Sequence, residues 1–347
     1  MKFGEAVREA LDFCLGADPD VVVMGLGVPD PKGVFGTTVG LQKKHGAKRV
    51  MDMPTAENGM TGVLLGATLA GLRPVMVHQR LDFAVLAVEQ IVNQAAKWRY
   101  MYGGRQSAPL VFRLITGRGW GQGTQHAQSL HSWFAHIPGL KVVMPATPGD
   151  AKGLLISAVE DDDPVVFIEH RWLHGVHGDV PAGAHRVPLG SARVARAGHD
   201  VTLFGVSYMV LECLRAAEFL AEHGVSAEVF DPRTLRPFDE AAFLASVRKT
   251  GRLVVADTSW TFSGFSAEAA ALAADKAFSA LKAPIKRLGL ADCPMPSTPA
   301  LANLCYPRAQ ELVDAAWSVC GKAGPAPRLP APTTPLDVPD PSFTGPF

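Results

Sequence analysis

Glu57 stands in Pro54-Thr55-Ala56-Glu57-Asn58-Gly59, which runs on into MTGVLLGATLAG. Gly59, Gly62, Gly66, Ala67, Ala70 and Gly71 would let other backbone approach this stretch closely. A carboxylate at the mouth of such an apolar helix costs free energy unless a polar partner meets it. Two readings are open: an acid favoured by the dipole of a helix's first turn, or a group waiting for something outside this chain. His126 lies in TGRGWGQGTQHAQS (116–129), a glycine-rich loop behind an apolar run, where functional residues concentrate. Phe83 follows HQRLD and opens a helical pattern, so its ring is either core or a platform for a ligand ring. His131 and His136 flank Trp133-Phe134 and read as structural. His170, His174, His177 and Asp179 have the spacing of metal ligands, with no Cys or Glu to complete a zinc pattern. Asp161-Asp162-Asp163-Pro164 is a solvated turn or a set of carbonyl oxygens around a cation. Arg80 and Arg118 could anchor an anion, although surface arginine is the commoner fate. No G-x-S-x-G elbow and no P-loop occur, which leaves a hydrolase triad or an NTPase without support.

The elements that must hold these groups alternate between apolar strands and helices. Helical spacing over 3–14 is followed by a strand at 21–24, a Gly/Pro loop at 25–36 and a helix around 37–45. The loop contains G-x-G without a G-x-G-x-x-G, a weak dinucleotide signal. Strands are expected at 74–78, 109–115, 140–145 and 164–169. Helices fall at 84–101, with a stripe of Leu86, Ile91, Ala95 and Trp98, and at 148–160. This is the pattern of a doubly wound α/β domain, whose ligands sit beyond the strand C-terminal ends. That rule points at Glu57, 78–83 and 116–129, all of which follow candidate strands. Residues 171–198 are rich in Gly, Pro and His, lack a period, and read as an interdomain connection. A second α/β unit follows, with strands at 201–206, 226–230, 252–256 and 285–288. Its helices are expected at 208–222, 239–249, about 264–280 and about 308–320. The proline-rich end cannot build a core and should be an extended tail. The expected boundaries are 1–185, 186–323 and a tail at 324–347.

Composition narrows the class. A chain of 347 residues suggests two domains, and 48% hydrophobic with 19% charged residues is ordinary for a globular protein. A formal net charge of zero argues against a nucleic-acid binder. No apolar run reaches a membrane span, and the acidic, unpatterned start points to the cytoplasm. Five scattered cysteines, with no C-x-x-C, read as reduced thiols.

Several stretches together resemble one known family. They are PTAENGMTGVLLGATLAGLRPV, DFAVLAVEQIVNQAAKWRYMYGG, GTQHAQSLHSWFAHIPGLKVVMPATPGDAKGLL, SAVEDDDPVVFIEH and DPRTLRPFDEAAFLASVRKTGRLVVAD. In this order they resemble the β subunits of thiamine-diphosphate-dependent 2-oxoacid dehydrogenase first components and the split transketolase-like enzymes. The likeness covers about residues 3–320. It implies a pyrimidine-binding α/β domain followed by a transketolase C-terminal-type domain, two doubly wound units in all. It also implies a job for Glu57: a carboxyl bonded to the cofactor's aminopyrimidine favours the imino form, whose nitrogen deprotonates the thiazolium carbon. Phe83 matches the aromatic that stacks on the pyrimidine, and Gln79 and His126 match further cofactor contacts. His126 would also handle protons or negative charge at the reacting centre. The backbone of Leu110, Ala158, Val159, Asp161 and Asp163 matches a potassium loop of some relatives. The diphosphate is held in this family through Mg²⁺ by a G-D-G…N motif, and here only GDV at 178–180 is found. The resemblance therefore implies a separate α subunit that carries Mg²⁺ and the diphosphate half, in an α2β2 heterotetramer with β–β contact.

Some positions depart from the family pattern. Met24-Gly25-Leu26-Gly27 replaces a Gly-Glu pair, HQRLDF replaces a more apolar stretch, and TSWTFSGFSAEAAA (258–271) replaces a loop with paired glycines. These changes bear on the substrate and on the acyl acceptor. Three functions follow: an oxidative decarboxylase passing its acyl unit to lipoamide on a lipoyl acyltransferase, a carboligase passing it to an aldehyde or another acceptor, or a silent partner subunit. The presence of Glu57, Phe83 and His126 weighs against the third.

Overall fold

The computed structural model describes residues 1–119 and 121–330. The tail expected at 324–347 therefore lies outside the described residues from 331 onward. The chain divides into two compact units, residues 1–119 with 125–189, and residues 121–124 with 190–330.

The first unit runs α1 (Phe3–Ala17), β1 (Val21–Met24), α2 (Leu41–His45), β2 (Val50–Met51), α3 (Glu57–Leu69), β3 (Arg73–His78) and α4 (Leu81–Ala84). It continues through a 3₁₀ turn (Val85–Ala87), a π-helical turn (Glu89–Ala95), α5 (Ala96–Met101), β4 (Val111–Thr116), α6 (His131–His136), β5 (Lys141–Val143), α7 (Pro148–Glu160) and β6 (Val165–His170). Within this unit the strands lie in the order β5-β6-β4-β3-β1-β2, and every pair is parallel. Strands β1, β4 and β6 are buried along their whole length, as near-continuous Val/Ile/Phe runs covered on both faces require. Register sets His78 beside Leu114 and Thr116 beside His170. The segment that leaves β3 is thus a neighbour of the loop that leaves β4.

The second unit contains β7 (Arg193–Arg196), β8 (Val201–Gly205), α8 (Met209–Glu222), β9 (Ala227–Asp231), β10 (Thr234–Arg236) and α9 (Glu240–Thr250). It ends with β11 (Leu253–Trp260), α10 (Phe265–Lys276), β12 (Lys286–Leu290), α11 (Pro299–Ala302) and α12 (Ala309–Val319). Its sheet order is β12-β11-β8-β9-β7, parallel except for β7 against β9. Phe204 centres the core, 5.7 Å from Phe230 and 5.4 Å from Phe243 between ring centroids. Two α/β units are what the sequence implied. All five cysteines are free, and the sulfurs of Cys293 and Cys305 stand 3.9 Å apart.

Three elements differ from expectation. The helix expected at 37–45 starts only at Leu41. Thr37 and Thr38 spend their hydroxyls on the carbonyls of Val34 and Val28, and Gly40 precedes the helix at φ 77°. The segment 84–101 is interrupted by a 3₁₀ turn and a π-helical turn, and this rotates the stripe. Ile91 and Ala95 are buried as expected, but Leu86 is exposed and Ala84 and Ala87 take the inward positions. Finally, the start of the supposed connection belongs to the first unit. Arg171, Trp172, Leu173 and His174 are buried, and Trp172 Nε1 donates to the carbonyl of Arg118 at 2.7 Å. At its other end, β7 pairs with β9.

Candidate active site

Glu57 opens α3 and is 7% exposed. The helix N-cap is Ala56, which offers no side-chain cap, and Glu57 makes no hydrogen bond or ion pair with the described residues. A dipole accounts for an acid in the first turn but not for one this far buried without a protein partner. One turn on, the buried hydroxyl of Thr61 also has no partner. Two polar groups at positions i and i+4 of one helix face therefore point away from any protein acceptor or donor.

The chain leaving β3 supplies the next groups. Gln79 donates from Nε2 to the carbonyl of Leu26 at 2.9 Å, in the loop beyond β1. Phe83 is half-buried and meets His126 edge-on, with ring centroids 5.3 Å apart and an interplanar angle of 86°. Asp82 Oδ1 accepts from Gln128 twice, from Nε2 at 2.9 Å and from the backbone N at 3.3 Å. The structure thus brings Phe83 and His126 together, with Gln79 on the same segment. Glu57 starts the helix that packs on β3 and on the turns after Phe83.

Behind these groups lies a buried polar network. Arg113, inside β4, reaches both carboxylate oxygens of Glu169 on β6, and its Nη2 also donates to Thr37 Oγ1 at 2.6 Å. Both side chains are fully buried. His174 Nε2 donates to Glu169 Oε2 at 2.9 Å. Burial alone would raise the Glu169 pKa, but the Arg113 charge and the His174 bond override it and hold the carboxyl at about 2. Burial drives the other way on the imidazoles: His174 is lowered to about 4, against the pull of Glu169, His170 to about 3 and His78 to about 4. The histidines suspected as metal ligands are therefore structural at 170 and 174, while His177 is exposed and bridges to Lys2. Among the described residues no cluster of His, Cys, Asp or Glu could hold a metal ion.

Arg80 and Arg118 are neither surface arginines nor open anchors, being 1% and 2% exposed. Arg80 donates from Nη1 to the carbonyl of Gly117 at 2.7 Å, and its guanidinium lies 5.1 Å from the centroid of Phe35. The potassium candidates form a turn that the chain itself neutralises. Arg73 Nη1 donates to the carbonyls of Val159 and Asp161 at 3.2 and 3.1 Å, and the Leu110 carbonyl accepts from Val165. Lys141 holds the Asp161 carboxylate at 2.6 Å, and Arg99 holds Asp163. Ala158 lies buried within α7. Two of the five candidate carbonyls, those of Val159 and Asp161, are thus already taken by a cationic side chain of the chain itself.

Known families and proteins match most of this chain. Residues 1–175 match the family model of the transketolase pyrimidine binding domain, and residues 190–312 that of the transketolase C-terminal domain. The rice protein "Pyruvate dehydrogenase E1 component subunit beta-2, mitochondrial" (Oryza sativa subsp. japonica) is 41% identical over 94% of this chain and 88% of its own. The chain belongs to the transketolase-like β-subunit family. Within it, the β subunit of an acetoin:2,6-dichlorophenolindophenol oxidoreductase from Cupriavidus necator is 42% identical over 90% of this chain and 95% of its own. The pyruvate dehydrogenase E1 β subunit of Rhizobium meliloti is 42% identical over 93% and 70%. A solved split-gene transketolase, an inactive β4 tetramer, superposes with a TM-score of 0.76 at 23% identity over 92% of this chain and 98% of its own, and shows the shared fold.

The cofactor of this β-subunit family is thiamine diphosphate, and the residues present fit its pyrimidine half. Glu57 is a largely buried carboxyl with no protein partner among the described residues, and Phe83 offers a half-exposed ring. The sequence reading missed Asp82 and the Arg113–Glu169 pair. The signal for the pair was present: Arg113 interrupts LVFRLI and Glu169 ends VVFIE, two charges in runs otherwise fit only for the core.

Proposed function

We propose that this chain is the β subunit of a heteromeric thiamine-diphosphate enzyme that decarboxylates a 2-oxoacid and passes the acyl unit to lipoamide. Glu57, largely buried and without a protein partner among the described residues, carries the proposal, because in a chain of this β-subunit family its carboxyl is left free to meet the pyrimidine. When bound, thiamine diphosphate supplies a nucleophilic thiazolium carbon. Glu57 holds a proton against the pyrimidine ring, Phe83 gives that ring a face, and Gln79 braces the segment that carries Phe83. His126 holds or moves a proton beside Phe83, where charge develops on the substrate oxygen. The pyrimidine-binding domain is placed at 1–185 and the C-terminal domain at 186–323. An α subunit would bring Mg²⁺ and the diphosphate half, in an α2β2 assembly with β–β contact. The exposed face of α3, with Gly59, Val63 and Gly66, suits close approach of another helix. The free thiols suit a reducing compartment such as the cytoplasm, and among the described residues no helix is long and apolar enough to cross a membrane. Potassium is left out of the proposal, since Arg73 already serves two of the five carbonyls in question.

A second reading has equal support from the relatives. Those named for pyruvate and for acetoin are about equally similar, so the donor is a 2-oxoacid or a 2-hydroxyketone such as acetoin. The reconstituted αβ complex, assayed with pyruvate and with acetoin against an artificial dye acceptor, separates the two. In the same assay Glu57→Gln is expected to lower turnover by at least about 100-fold, a loss of about 2.7 kcal/mol of transition-state stabilisation. Undiminished turnover would sink the role given to Glu57.

A further inference from the structure

The four residues between β3 and Phe83 touch both ends of the His126 loop. Arg80 Nη1 donates to the carbonyl of Gly117, where the loop begins. Asp82 Oδ1 accepts from the backbone and side chain of Gln128, two residues past His126. Thr116 Oγ1 closes the same neck by donating to the Gln128 carbonyl at 2.9 Å. Gln128 therefore has its N–H, its side-chain amide and its carbonyl all engaged, while Phe83 rests edge-on against His126 from the same short segment. The neck also packs closely on β6: a Cβ at Gly117 would stand 2.6 Å from His170 Cε1, so only glycine fits there. A charge-assisted acceptor that takes two bonds from one residue is a firm clamp.

We propose that Asp82 and Arg80 are positioning residues for His126, fixing its imidazole relative to the Phe83 platform by clamping the loop at Gln128 and Gly117. The inference rests on the reading of His126 as the group that handles charge at the reacting centre. It adds that the precision of that group is set from β3, by the segment that also carries the cofactor platform. Nothing in Asp82 touches the reacting atoms. Its effect passes through Gln128 alone, so it should vanish once His126 is gone.

The test is a double-mutant cycle in the reconstituted holo-complex, read with hydrogen–deuterium exchange of the same complex without thiamine diphosphate. Asp82→Ala is expected to lower kcat by about 10- to 100-fold, the usual cost of a misplaced group, with KM and cofactor affinity little changed. Asp82→Asn keeps an oxygen for both Gln128 donors and should retain most of the activity. In a His126→Ala background, Asp82→Ala should cost nothing further. The Gln128 amide should exchange faster in Asp82→Ala. Gln128→Met, which removes the side-chain donor and spares the carboxylate, should reproduce part of the loss if Asp82→Ala folds poorly. An Asp82→Ala enzyme within twofold of the parent, an equal loss with His126 already removed, or unchanged exchange at Gln128 would each overturn the clamp. Full activity in His126→Ala would instead overturn the reading of His126 itself, and the proposal with it.

Discussion

Glu57 and Glu169 are both buried carboxylates, and they meet opposite fates. Glu169 has Arg113, His174 and a pKa of about 2, so its charge is spent inside the fold. Glu57 has no such partner among the described residues. Removing one member of a buried pair strands the other, which typically costs about 3–5 kcal/mol. Arg113→Met should therefore cost about that much in urea unfolding, whereas Glu57→Gln should cost less than about 1 kcal/mol or stabilise the chain, because it removes an uncompensated charge. A Glu57→Gln protein as unstable as Arg113→Met would argue that Glu57 is structural. Much of this was legible in the residues: Glu57, Phe83 and His126 stood out by type and place. Their partners did not, because Asp82 and Arg113 owe their roles to neighbours across the sheet, 46 and 56 positions further along the chain.

At the level of elements, order and type were readable while phase was not. The alternation of apolar runs and helical spacing locates nine strands, but β2, β7 and β10 are too short or too polar to stand out, and β11 runs to Trp260, four residues beyond its expected end. The register of the helical run after β3 was not readable, since a 3₁₀ turn and a π turn in sequence shift the buried face without changing residue types. The Gly- and His-rich stretch after β6 looked like a connection because it lacks a period, yet Trp172 anchors it by bonding to the Arg118 carbonyl. The neck of the His126 loop gives the prediction that belongs here. Gly117 has φ 89°, and an added Cβ would strike the His170 ring. Gly117→Ala should lower stability by about 2–3 kcal/mol through strain and repacking. An unchanged urea midpoint would mean that the neck gives way easily and could not aim His126.

For the whole molecule, pH and partnership are the informative variables. His78, His170 and His174 have folded pKa values of about 4, 3 and 4, below the 6.5 of the unfolded chain. Below pH 6.5 the unfolded state therefore binds more protons than the folded one. Stability from these groups is fully present above about pH 6.5 and is lost as pH falls toward 4, by up to about 1.4 kcal/mol per pH unit for each histidine. Glu169, lowered from 4.5 to about 2, adds loss of the same sign below pH 4.5. Urea midpoints at pH 7.5, 6 and 5 should fall in that order, and a flat series would contradict neutral burial of the three imidazoles. If the cofactor is shared between subunits, titration with thiamine diphosphate should give far weaker binding to this chain alone than to the αβ complex. Equal affinity would remove the shared site. Assembly itself can be followed through the thiols. Cys14 is pushed up to about 12 and Cys213 is raised by burial, so neither should react at neutral pH, while Cys293 lies exposed beside the raised thiol of Cys305. Cys320 is partly exposed, so with Cys320→Ser a maleimide dye placed at Cys293 would turn the encounter of the subunits into a fluorescence signal.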